Sequence, residues 1–188
     1  SSTVGGRAKA INDAHIYALP NGQSATLDNG QHILIGAYTE TLRLMRVVGL
    51  QPDDLLLNLP LTLQFPDGAG IRFKDWPTPL DAVGGIASAS GWSVADKASL
   101  IWTAVRWQLA GFTCEPDQSV SQLCRRLSPR VTTELIEPLC VSALNTPADQ
   151  ASAQVFLRVL RDALFGVPNG SRLLLPKVDL GQLFPNPA

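Results

Sequence analysis

The sequence predicts an α+β protein, and three observations carry that prediction. The first third alternates short apolar runs with turn clusters, residues 61–73 read as a β-hairpin, and from Thr78 onward apolar residues recur at helical spacing. With 188 residues and 45% hydrophobic content, the chain can build one domain, or one and a satellite.

The strand region begins with Ala14 to Leu19, closed by the turn cluster Pro20-Asn21-Gly22. Ser24 to Leu27 leads into a second tight turn at Asp28-Asn29-Gly30, after which His32-Ile33-Leu34-Ile35 has the pattern of a buried strand ending at Gly36. Tyr38, Leu42, Met45 and Gly49 then fall near one helical face, with Gly49 as the cap. Leu61, Leu63 and Phe65 alternate with polar residues before Pro66-Asp67-Gly68-Ala69-Gly70 turns the chain into Ile71-Arg72-Phe73, which defines the hairpin.

In the helical region, Ser93 and Asp96 form a capping box for a helix expected to reach about Ala110 and stop at Gly111, with Val94, Ala98, Ile101 and Val105 repeating along it. Ser128-Pro129 supplies an N-cap and a first-position proline, and Pro138 inside that helix predicts a kink or a break. Thr146-Pro147-Ala148-Asp149 predicts another helix start, with Ala151, Val155, Val159 and Ala163 on one face up to Gly166. Leu173-Leu174-Leu175-Pro176 is a closing apolar run before a proline-rich tail.

Composition narrows the function. Lysine and arginine number 15 against 16 acidic residues, so there is no global field to gather nucleic acid or another polyanion. No stretch approaches the roughly 20 apolar residues of a membrane span, which leaves a membrane-surface contact open and points to a cytoplasmic domain. Cys114, Cys124 and Cys140 are odd in number and widely spaced, as buried, inert thiols would be.

Site chemistry is sparse. His15 and His32 stand at no metal-ligand spacing, a G-x-S-x-G elbow is absent, and Gly68-Ala69-Gly70 belongs to the hairpin turn rather than to a phosphate loop. Trp76, Trp92, Trp102 and Trp107 read first as core residues, with a lipid pocket as the competing use. Gly5-Gly6-Arg7 could bring backbone and a guanidinium to a phosphate, and Asp28-Asn29-Gly30-Gln31-His32 could form a ligand platform, although taken alone they read as a terminal tail and a polar turn.

Taken together with their neighbours, these residues resemble a known family. Gly5-Gly6-Arg7-Ala8, the run from Leu27 to His32 continuing through Gly36-Ala37-Tyr38 to Leu42, Ala143-Leu144-Asn145-Thr146-Pro147, Val159-Leu160-Arg161-Asp162 and Leu174 to Leu180 are similar to the squalene-associated FAD-dependent desaturases of the flavin amine oxidase superfamily. Within it, the bacterial hydroxysqualene dehydroxylases of hopanoid synthesis are the nearest type.

The resemblance implies that residues 1–36 are part of an FAD-binding segment of a larger Rossmann-type flavoprotein, and that residues 37–188 form a substrate-binding domain, mostly helical with the hairpin near 61–73. It places Gly5, Gly6, Arg7, Gly30, Gln31 and His32 against FAD. The parent enzyme would deliver hydride to a long isoprenoid, with His32 or Asp28, and Tyr38 behind them, as candidate proton donors. A chain without the family's G-x-G-x-x-G loop is expected to bind FAD weakly or not at all. Ile136-Glu137 stands where the family often has an aromatic residue before the proline. The competing readings are a carotenoid-type desaturase and a non-catalytic lipid-binding module.

Overall fold

Residues 10–11, 27–28, 30 and 33–188 are described by the computed structural model. The expected run Ala14 to Leu19 and its turn lie outside the described residues, as do Gly5, Gly6, Arg7, His15, Gln31 and His32.

In chain order the elements begin with strands β1 (Ala10–Ile11), β2 (Leu27–Asp28) and β3 (Leu34–Ile35), then helices α1 (Thr39–Val47) and α2 (Pro52–Leu55), then strands β4 (Leu56–Leu59), β5 (Thr62–Gln64) and β6 (Gly70–Arg72). Helices α3 (Leu80–Ala87), α4 (Val94–Leu109), α5 (Val120–Leu123), α6 (Pro129–Val131), α7 (Glu137–Leu144) and α8 (Ala153–Arg161) follow, with β7 (Leu173–Pro176) and α9 (Leu180–Leu183) last. Helices and small antiparallel sheets make this an α+β chain. It divides into two compact units, residues 1–59 with 172–188, and residues 60–171.

The first unit is organised by β7. The apolar run Leu173 to Leu175 pairs antiparallel with β3 on one side and β4 on the other, so Leu174 faces both Leu34 and Asn58 across the ladder. Met45 of α1, Leu56, Leu174 and Leu183 close a small core beneath it. The expected buried strand at 32–35 is only Leu34–Ile35 among the described residues, half-buried at a sheet edge, and Ile33 is exposed. Helix α1 buries Met45 as its spacing predicts and ends before Gly49, whose φ of +84° suits glycine. Tyr38 departs from that face and is exposed at the N-cap, because the α1 stripe narrows to Leu42 and Met45.

The second unit begins with the expected hairpin, β5 against β6, with Leu63 opposite Ile71. Gly70 cannot be replaced cheaply. Its φ is +143°, and a Cβ there would stand 2.1 Å from the Leu63 carbonyl oxygen. The helices then wrap a core that includes Ile71, Trp107, Val120, Ile136, Phe156 and Leu157. Burying a side chain such as Phe156 or Leu157 stabilises the fold by roughly 1.5–3 kcal/mol each.

Helix α4 has the predicted bounds and the predicted capping box, with the Asp96 N–H donating to Ser93 Oγ at 3.1 Å and the Ser93 N–H to the Asp96 carboxylate at 2.9 Å. Its buried side is the surprise. Leu100, Thr103 and Trp107 face the core, whereas Val94, Ile101 and Val105 of the expected stripe are exposed. Both sides of α4 are apolar, so the period identifies a helix without choosing its inner face.

Pro138 breaks nothing. The helix from Pro129 to Leu144 stays continuous by widening into a π turn, Thr132–Ile136, where the Glu137 N–H reaches back to the Thr132 carbonyl. One wide turn ahead of a proline relieves its ring clash and its missing N–H. Asn145, with φ of 50°, closes α7 in the left-handed conformation.

The helix expected to begin at Thr146 begins instead at the Ser152 N-cap. Residues 146–151 form a single turn on the Pro147 carbonyl, and two of their carbonyls are taken by the 118–121 segment: the Ser121 N–H donates to the Ala148 carbonyl at 2.9 Å and the Val120 N–H to Ala151 at 3.0 Å. Tertiary pairing therefore outcompetes the local helix signal. Val155 of the expected face is exposed, while Ala153, Phe156 and Leu157 point inward.

Candidate functional site

Among the candidate residues, Asp28, Gly30 and Tyr38 are described. Asp28 ends β2 and is half-buried, and its Oδ1 accepts the Leu180 N–H at 2.9 Å. That bond satisfies one of the orphan donors at the start of α9 and ties two segments 152 residues apart into the first unit. Gly30 stands in the same turn, its N–H donating to the Asp28 carbonyl at 2.9 Å. It is exposed, its φ is +84°, and a Cβ would meet nothing within 4 Å among the described residues. Tyr38 presents an exposed phenol at the head of α1.

In the second unit, the structure forms an open cleft of about 710 Å³ that no sequence motif announced. One wall is the segment 75–79, which carries Trp76, Pro77, Thr78 and Pro79 and includes a cis Thr78–Pro79 bond. Facing residues are Gln108 near the end of α4 and Phe165 to Asn169, which follow α8 through a second π turn, Asp162–Gly166. The volume falls within the roughly 300–1,000 Å³ of small-molecule sites.

Packing fixes these walls. Phe165 leans on Phe112, ring centroids 5.2 Å apart and planes tilted by 48°. Trp76 lies over Gly84 of α3, where a Cβ would come within 2.5 Å of the indole. The fully buried Asp81 sits in the first turn of α3 and accepts from the Ser171 hydroxyl at 2.7 Å and from the Ala82 N–H at 2.8 Å. A lone acid in the apolar stretch 79–87 was the available signal for this pair, because a buried carboxylate must be hydrogen-bonded.

The cleft carries several polar groups. Asp75, Thr78, Gln108 and Asn169 supply them, and the buried Thr78 Oγ1 has no hydrogen-bond partner among the described residues. The lining is mixed, these polar side chains standing among Trp76, Pro77, Pro79, Phe165, Val167 and Pro168.

Other chemistry is weak. Burial pushes the Cys124 thiol up to about 12, and it also raises Cys140 and Cys114, so all three are protonated at neutral pH. All are free thiols; Cys124 and Cys140 are buried as expected, but Cys114 is only half-buried because it sits in the loop beyond α4. Hydrogen bonds from Ser128 and Ser93 hold the Asp96 carboxyl below its usual value. No cluster able to hold a metal occurs among the described residues, and no described helix is long and apolar enough to cross a membrane. Trp92 and Trp107 fill the core as expected, whereas Trp76 and Trp102 are exposed.

Comparison with known proteins gives no assignment: no family model matches the chain, and no curated protein matches it.

Proposed function

We propose that this chain is part of an FAD-dependent oxidoreductase that reduces hydroxysqualene to squalene. The observation that carries the reading is the set of segments resembling the squalene-associated flavoenzymes, from Gly5-Gly6-Arg7 through the Leu27 to His32 run to Leu174 to Leu180. Supporting it, Asp28 of the second segment is hydrogen-bonded to Leu180 of the last, so two separate parts of the resemblance meet in one unit.

Gly5, Gly6, Arg7, Gly30, Gln31 and His32 would hold the FAD, and Gly30 among them is exposed. Reduced FAD, when bound, would supply a hydride to the allylic carbon as the C–O bond breaks, leaving oxidised flavin, squalene and, after one proton is added to the departing hydroxyl, water. That proton is the task of the chain. His32 or Asp28, with Tyr38 behind them, would supply it; Asp28 also accepts from Leu180, and Tyr38 is exposed.

A flavin-fluorescence titration with FAD tests this, run on the chain and on the longer protein that the resemblance calls for. Binding by the longer protein, followed by conversion of hydroxysqualene under reducing conditions, is the expected result. An oxidised polyene product would favour the carotenoid-type desaturase. Absence of FAD binding by both would remove the flavoenzyme reading and leave the lipid-binding module.

A further inference from the structure

Helix α4 keeps an apolar stripe out of the core, and the stripe reads the same from either end. Val94, Ala98, Ile101, Trp102, Val105 and Leu109 are exposed, Val94 and Leu109 by 84% and 83%. At 100° per residue they span roughly 100° of the helix, opposite the buried Leu100, Thr103 and Trp107. Their spacings along the chain, 4, 3, 1, 3 and 4, are palindromic.

A two-fold contact needs a stripe of this kind. In an isologous dimer one patch covers itself, and two helices related by a two-fold axis perpendicular to them run antiparallel. Turned over about the midpoint between Ile101 and Trp102, α4 sets Val94 against Leu109 of the second copy, Ala98 against Val105, and Ile101 against Trp102. Symmetry repeats each contact in reverse. Apolar therefore meets apolar at every step.

Area and charge fit the same occupant. Lys97 Nζ donates to the Ala87 carbonyl at the end of α3, so α3 lies beside α4, and its exposed Leu80 and Val83 add to the patch. Together these side chains leave roughly 600–800 Å² uncovered, close to the 800 Å² or so that each partner gives to a standard-size interface. Trp102, exposed by 66%, is of the residue type that anchors such contacts. Asp81 and Asp96 offset Lys97 and Arg106 on the two helices, so two copies bring no net charge together. The cations flank the stripe on opposite sides. The antiparallel turn carries Lys97 beside Gln108 of the second copy and Arg106 beside Ala95, and no like charges meet.

We infer that two copies of this chain pair through this face, with their α4 helices antiparallel across a two-fold axis. The inference rests on the α4 stripe and not on FAD, so the outcome of a flavin titration leaves it standing.

Sedimentation equilibrium of the chain is the test. The mass should approach twice the 20.1 kDa of one copy as concentration rises. Leu109→Glu and Trp102→Glu should each raise the dimer Kd roughly 100-fold or more, because the axis applies every change twice. Both side chains are exposed, so the circular dichroism spectrum should stay that of the parent chain. Cross-linking in a Cys114→Ser background reads the register. Ala98→Cys combined with Val105→Cys should give a disulfide-linked dimer on oxidation with diamide: the two positions face each other between copies, yet stand roughly 10 Å apart within one helix, beyond disulfide reach. Either substitution alone should not link. A chain that stays monomeric, a dimer that both glutamates leave intact, or single variants that link as readily as the double one would overturn the inference. So would a monomer that collects on phosphatidylglycerol vesicles, since lipid would then cover the face.

Discussion

The hydroxyl of Ser171 donates to the buried carboxylate of Asp81 at 2.7 Å, joining residues 90 positions apart. Asp81 belongs to α3, which carries the Trp76 wall of the cleft, and Ser171 ends the segment that carries the Phe165 to Asn169 wall. One hydrogen bond thus ties the helix that follows the first wall to the end of the segment that carries the second.

Ser171→Ala should lower unfolding stability by about 1–3 kcal/mol in urea titrations, because Asp81 would lose a donor it cannot replace with water. Asp81→Ala should cost at least as much. If Ser171→Ala were neutral, the pair would not be holding the two segments.

Glycine positions separate two kinds of strain. Gly70→Ala should destabilise by about 1–3 kcal/mol from its backbone conformation alone, with the clash against the Leu63 carbonyl added. Gly84→Ala meets only the movable Trp76 and Lys74 side chains, so the melt should shift less while Trp76 fluorescence changes. Urea titration and emission spectra of the two variants check this.

Trp92 donates its indole N–H to Glu134 at 2.7 Å, and Arg130 pairs with the other carboxylate oxygen at 3.0 Å. Glu134 lies in the π turn ahead of Pro138. Trp92→Phe keeps most of the ring but removes the donor, and should cost about 1.5–3 kcal/mol, the range for a hydrogen bond to a charged group. Hydrogen exchange should rise first in residues 130–144.

Raised thiol pKa values give a pH dependence of definite sign. The folded state holds the Cys124 thiol protonated to about 12, against an ordinary value of 9.0, so its contribution is complete below 9.0 and is lost as pH rises towards 12. Stability should fall across that window by up to about 1.4 kcal/mol per pH unit from Cys124 alone. At neutral pH a disulfide-exchange reagent should label the half-buried Cys114 first, with Cys124 and Cys140 protected until the chain unfolds. Denaturation midpoints and labelling rates measure both effects.

What was legible in the sequence was local. The hairpin at 62–72, the capping box of Ser93 and Asp96, the Ser128-Pro129 helix start and the stop at Gly111 all depend on a few neighbouring residues, and the structure reproduces each. The Gly30 N–H does meet the Asp28 carbonyl where the sequence places a turn, but the partner of the Asp28 carboxylate, the Leu180 N–H, was not legible.

Tertiary structure decided the rest, because each undecided choice was between options of similar local energy. Helical period could not tell which apolar side of α4 is covered; contact with the core chose Leu100 and Trp107 and left Val94, Trp102 and Leu109 outside. A proline at 138 predicted a kink or a break, and the helix instead widens into a π turn in which Leu135 and Ile136 are buried. The backbone groups of residues 148–153 could begin a helix or pair with 118–121, and pairing won. The cleft, built from segments near 76, 108 and 165, exists only once those distant pieces are packed together.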